Sequence, residues 1–151
     1  KAHNREFNTT SDKCGSQSKQ HSSSISEAVR EANYGLNNLK QFQNESNEDE
    51  FKLKIEKAYQ LSNRFAFAWK LANEGIPVVL VYLGFLNAEE MGNNFFQKHD
   101  DWHNYVINKT KSIIPQQAWN QTFEVNGTPL TFLIKSAKVE INPEVSVSKE
   151  S

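Results

Sequence analysis

At 151 residues the chain is sized for one domain with a modest core. Hydrophobic residues make up 37% and charged residues 23%, which is polar for a globular chain but excludes full disorder. A net charge of −1 excludes a whole-molecule electrostatic argument for nucleic-acid binding, so any such site must come from a local cluster.

The single cysteine, Cys14, excludes an internal disulfide framework and reads as a free thiol in a polar loop. No run of about 18 apolar residues occurs, so no helix is expected to cross a membrane. The N-terminus lacks the apolar core of a signal peptide, and a cytoplasmic protein is expected. Sequons such as Asn8-Thr9-Thr10 and Asn108-Lys109-Thr110 read as chance matches in an Asn-rich chain.

Residues 4–23 are polar throughout and read as a loop. Ser24-Ile25-Ser26-Glu27 has the form of a capping box, and Ile25, Val29, Ala32, Leu36 and Leu39 follow at three- and four-residue steps. A helix over 24–42 is predicted, with one apolar stripe. An acidic connector, 43–50, leads to a second predicted helix over 51–74. There Ile55, Ala58, Tyr59, Ser62, Ala66 and Trp69 share one face, while Leu61, Phe65, Ala68 and Ala72 make another. Its C-terminal half is apolar almost all round, as a buried helix would be. Gly75 is placed to stop it.

The run 77–85, PVVLVYLGF, predicts an interior strand covered on both faces. Helix, tight turn and buried strand make half of an α/β unit. A long loop over 87–98 follows, containing Gly92. A third helix is predicted to start near Asp100 or Asp101, to align Trp102, Val106, Lys109 and Ile113, and to end before Pro115. Asn126-Gly127 predicts a two-residue hairpin pairing Val125 with Thr128 and Phe123 with Leu130. Pro129 then faces Glu124 at a non-hydrogen-bonded pair, where its missing N–H does little harm. The second strand runs on through Phe132 and Ile134 towards Ile141, with a phase change near Ser136 that predicts a bulge. A polar tail, 142–151, is expected to be disordered.

Three groups of residues invite chemistry. His99 and His103 are four apart, as zinc-binding pairs on helices are. An aspartate cap would leave His99 ahead of the helix, however, so the two rings need not share a face. Glu89-Glu90 follow the strand where α/β sheets often place their sites, although adjacent acids in a loop are usually just solvated. Gln60, Asn63 and Arg64 interrupt a helix that is becoming apolar, and Gln60 and Arg64 point the same way. An amide and a guanidinium near the buried end of a helix must find partners or water. They serve either a structural network or a polar site.

Lys1-Ala2-His3, the capped amphipathic helix, Tyr59-Gln60-Leu61-Ser62-Asn63-Arg64 and the run PVVLVYLGFLNAEEM together resemble an uncharacterised bacterial group. That group looks like part of the PD-(D/E)XK nuclease superfamily, whose members carry Glu-x-Lys at the end of a core strand. Asp101-Trp102 and Ile114-Pro115 also fit the group, so the likeness spans most of the chain. The resemblance implies an α/β, restriction-endonuclease-like mixed sheet flanked by helices. Residues 1–141 would be the C-terminal portion of one nuclease-like domain whose N-terminal helix and first strands lie upstream. The strand near Pro77 would then lack its neighbours.

Carried over by position, Lys1 matches the motif lysine, which positions or activates the attacking water and steadies charge on the phosphate. Gln60 matches the glutamine of the following helix and joins Lys1 as a catalytic candidate. Asn63, Arg64 and Lys57 would support the site or contact substrate. The acids that hold Mg²⁺ in the superfamily have no counterpart here, so the fragment is expected to bind no metal and to be inactive alone. The partner so implied is nucleic acid. A different class also fits: a non-catalytic nucleic-acid or protein-binding module on the same fold. In it Lys52, Lys54, Lys57, Arg64 and Lys70 would act as a basic cluster, diluted by Asp49, Glu50 and Glu56.

Overall fold

The computed structural model describes residues 19–40, 50–56, 58–88 and 95–138. Expectations for Lys1, Cys14, Lys57, Glu89, Glu90 and the tail 142–151 fall outside them. The elements are α1 (Lys19–Asn37), α2 (Tyr59–Asn73), β1 (Val78–Leu86), α3 (His99–Thr110), a 3-10 turn (Gln116–Ala118), β2 (Gln121–Val125) and β3 (Thr128–Lys138). The strands form one mixed sheet in the order β1-β3-β2, with β1 parallel and β2 antiparallel to β3. The chain is an α/β protein. No helix among the described residues is long and apolar enough to cross a membrane.

Helix α1 buries Val29, Ala32 and Leu36, the stripe that the spacing predicts. Its start does not match. The helix already runs at Lys19, so Ser24 lies inside it rather than at its cap. Nothing between 19 and 23 is a Gly or Pro that would break it, and packing of the apolar stripe carries the weaker helix formers along.

The far end of α1 stops at Asn37, short of the predicted 42, and has a second task. The Asn37 side chain donates to the Phe51 carbonyl at 2.9 Å and accepts from the Phe51 N–H at 2.8 Å. One turn earlier, Asn33 Oδ1 accepts from the Leu53 N–H at 2.8 Å. The Lys52 N–H donates to the Ile113 carbonyl at 2.8 Å, and the Lys54 N–H to Ser62 Oγ at 3.0 Å. Every backbone N–H from 51 to 54 is thus paired outside regular structure, as a half-buried extended segment requires.

The predicted helix over 51–74 is corrected accordingly, since α2 begins only at Tyr59. Phe51 and Leu53 point inward while Lys52 and Lys54 point out, a period of two rather than 3.6. Ala58, at φ +49°, breaks any continuity with the helix. From Leu61 on, α2 buries Leu61, Ser62, Phe65, Ala66, Ala68 and Ala72. Phe67 is 64% exposed, so the helix keeps one wet side despite its apolar sequence. Gly75 ends the helix as expected: at φ +84° its N–H reaches the Ala72 carbonyl, and the Ile76 N–H reaches Leu71.

Strand β1 departs from expectation on one face. Tyr82, Gly84 and Leu86 turn inward, but Val79, Val81, Leu83 and Phe85 are 59%, 44%, 47% and 52% exposed. The reason is that α2 and α3 both pack on the face carrying Tyr82 and Phe132. Phe65 meets Phe132 at 4.5 Å and Trp119 edge-on at 5.5 Å, centroid to centroid. Tyr82 meets Trp119 edge-on at 5.2 Å. Trp102 of α3 lies flat where a side chain at Gly84 would stand, 2.6 Å from the position of its Cβ. Its Nε1 donates to the Tyr82 carbonyl at 3.2 Å.

The hairpin matches its prediction. Asn126 and Gly127 take φ of +49° and +82°, and the register pairs Val125 with Thr128, Glu124 with Pro129 and Phe123 with Leu130. The predicted bulge near Ser136 is absent. The β1–β3 register runs unbroken through Gly84↔Ser136 to Leu86↔Lys138, so Ser136 stays on the inward face. Helix α3 ends before Pro115 as expected, but Thr110, not Lys109, completes its buried line with Trp102 and Val106.

Two stability predictions follow from this packing. Asn37→Ala leaves the buried Phe51 amide without its partner and should cost about 1–3 kcal/mol in urea unfolding, with faster hydrogen exchange at Phe51. Gly84→Ala drives a methyl into Trp102 and should cost ~1–3 kcal/mol, with the Trp102 fluorescence altered in the native state.

Candidate functional site

Strands β1 and β3 run the same way, and α2 returns to the start of β1 through a tight turn. Asn126 Nδ2 donates to Asn73 Oδ1 at 2.8 Å, tying the end of α2 to the hairpin at the start of β3. The first turn of α2 therefore lies towards the carboxyl ends of β1 and β3. Open α/β sheets gather their ligands at that edge.

Gln60, Asn63 and Arg64 sit in the first turns of α2. Gln60 and Asn63 are half-buried, and Arg64 is exposed. Gln60 and Arg64 each take part in interactions within the molecule. The structure thus brings three of the five candidate residues to one helix end. Lys1 and Lys57 lie outside the described residues.

A second polar group at the same edge was only half visible in sequence. His99 is the first residue of α3, and Lys98, in an extended conformation, precedes it. The expected aspartate cap is therefore corrected: Asp100 and Asp101 lie inside the first turn, where they face the positive end of the helix. As a result, His99 and His103 do share a side, with ring centroids 6.0 Å apart. His99 Nδ1 lies 2.9 Å from Ser136 Oγ. The pairing follows from the sheet register. Trp102 covers Gly84, Ser136 is the partner of Gly84 on β3, and His99 reaches over to it. The inward parity of Leu130, Phe132 and Ile134 already pointed to Ser136, had no bulge been supposed.

Beside this group Phe96, Trp102 and Tyr105 cluster, with centroids 5.1 to 5.9 Å apart. Lys109 Nζ lies 5.7 Å from the Tyr105 ring centre, on the side of the cluster facing water. Burial holds the Tyr105 phenol above its ordinary pKa of 10.0 by disfavouring the phenolate. Among the described residues no three or more His, Cys, Asp or Glu side chains converge as a metal ligand set. They do not fit the superfamily's Mg²⁺ site, and no step through Mg²⁺ is assigned to them.

At the opposite end of the sheet a groove of about 710 Å³ opens between α1, α2 and the hairpin. Tyr34, Trp69, Asn73 and Asn126 line it. Gly35 lets the Trp69 ring lie against α1, 2.3 Å from where a Cβ would be. Trp69 Nε1 is buried and finds no hydrogen-bond partner among the described residues. Neither the composition nor the spacing of the sequence marked this groove.

Tyr105 gives the site a measurable signature. The stability that its neutral phenol contributes is complete below pH 10 and is lost as pH rises through the raised pKa. Ultraviolet titration should show late-ionising tyrosine absorbance, and Tyr105→Phe should lower its amplitude.

Comparison with known proteins leaves this geometry to stand by itself: no family model, no curated protein and no solved structure matches the chain.

Proposed function

We propose that the chain is the C-terminal portion of a cytoplasmic, PD-(D/E)XK nuclease-like protein whose intact form cleaves phosphodiester bonds of nucleic acid with Mg²⁺. One observation carries the reading. Among the described residues β1 has a single neighbouring strand, β3, and its outer face is bare. In the restriction-endonuclease-like fold, upstream strands, one ending in Glu-x-Lys, and an upstream helix supply the missing neighbours. The carboxyl edge of β1 and β3, with Gln60, Asn63 and Arg64 at the start of α2, is where such a motif would deliver its lysine.

In this reading Lys1 places a compact positive charge beside the attacking water and the scissile phosphate. Gln60 steadies that arrangement, and Asn63, Arg64 and Lys57 meet the phosphates of the substrate. The metal-holding carboxylates belong to the upstream strands. A polypeptide extended upstream of Lys1 should nick plasmid DNA or cleave RNA with Mg²⁺, and the 151-residue chain alone should not. Lys1→Ala in the extended protein should slow cleavage by on the order of 10²-fold or more. Mg²⁺-dependent cleavage that survives Lys1→Ala overturns the proposal.

A second reading, a non-catalytic nucleic-acid or protein-binding module on this fold, is favoured by the net charge of −1. It also fits Lys70, which is already paired with Glu74 at 3.3 Å. If α2 meets phosphates without cleaving them, binding should weaken with salt. Lys57→Glu with Arg64→Glu should then flatten the salt dependence by about one unit of slope per lost contact.

A further inference from the structure

His99 and His103 stand one turn apart at the start of α3, and nothing in the nuclease reading uses them. We propose that they form a two-imidazole site for a borderline-soft divalent cation, with Zn²⁺ the natural occupant. The geometry fits. An ion about 2.1 Å from one nitrogen of each ring would set the centroids roughly 5 Å apart in a tetrahedral arrangement. The ring centroids are 6.0 Å apart with planes inclined by 44°, close to that separation.

Ser136 supplies the second half of the argument. His99 Nδ1 lies 2.9 Å from Ser136 Oγ, and in the tautomer whose Nδ1–H donates to that hydroxyl the lone pair of Nε2 is left to bind metal. Metal-bound histidines are usually oriented by such a bond on their other nitrogen. His99 is exposed and His103 half-buried, so an ion can enter without opening the fold. Asp100 and Asp101 offset the positive end of α3, which would otherwise disfavour a cation. Imidazole selects Zn²⁺ over Mg²⁺, which prefers oxygen. Two protein ligands leave the remaining positions to water or to an oxygen of a bound molecule, so the site is open rather than structural.

The test is Zn²⁺ titration by calorimetry with the full chain. It carries His3→Ala and His21→Ala, so that only His99 and His103 remain as histidines. One Zn²⁺ per chain is expected, together with shifts of the His99 and His103 ring signals in NMR spectra. His99→Ala and His103→Ala should each weaken uptake by roughly tenfold or more. Ser136→Ala should weaken it by ~10-fold and shift the His99 ring nitrogens towards the other tautomer in the metal-free protein. Absence of 1:1 uptake overturns the proposal, as does uptake that both histidine variants retain. Cleavage by the extended polypeptide is read separately, so failure of either proposal leaves the other standing.

Discussion

The backbone of 51–54 lies half-buried against the core, and its N–H groups are satisfied by side chains and a loop. That constraint organises much of the molecule. It puts Asn33 and Asn37 on the inner side of α1, Ser62 in the second turn of α2 and the Ile113 carbonyl against Lys52. With the segment pinned, Phe51 reaches Phe65 and Phe132, at 6.2 and 6.3 Å between centroids. The aromatic centre of the core then joins α2, β1 and β3. A buried amide left unpaired costs about 1–3 kcal/mol, so the two asparagines count for more than their exposure suggests.

The sheet is dressed on one side only among the described residues. Val79, Val81, Leu83 and Phe85 on β1 stand beside Thr131, Leu133, Lys135 and Ala137 of β3 in the register, so the face is apolar along β1 and mixed along β3. Soluble proteins rarely leave such a face without a partner element. Among the described residues the edge of β1 carries only the Leu86–Phe96 bridge, and the strand holds no Lys, Pro or bulge that would discourage further pairing. Among the described residues a run suited to burial on both faces is thus half-bare. The proposed nuclease-like reading rests on that observation.

The features legible in the sequence were those set within a few residues. The Asn126-Gly127 turn needs two positive φ angles, and those residue types supply them, so hairpin and register followed together. Gly75 could be read for the same reason. Phe51-Lys52-Leu53-Lys54 alternates over too short a span to outvote the helical pattern next to it, and its partners Ser62, Asn37, Asn33 and Ile113 are distant in sequence and lie on other elements. The continuous apolar run of β1 could not reveal that one face lacks a cover, because its sequence is suited to burial either way. His99 and Ser136 are 37 residues apart, and only the parallel β1–β3 register brings them together.

Trp102 links that register to the candidate chemistry. It rests on Gly84, donates to the Tyr82 carbonyl and so fixes the rotation of α3 about its axis. At about 100° per residue, His99 and His103 then lie within roughly 100° of the Trp102 direction, turned towards β3. Ser136, beside Gly84 on that strand, is what His99 meets. The absence of a side chain at Gly84 and the indole of Trp102 thus decide where two imidazoles and a hydroxyl converge. The precision of the site is borrowed from the core beneath it, which is how a pair of helix-start histidines comes to be positioned rather than merely present.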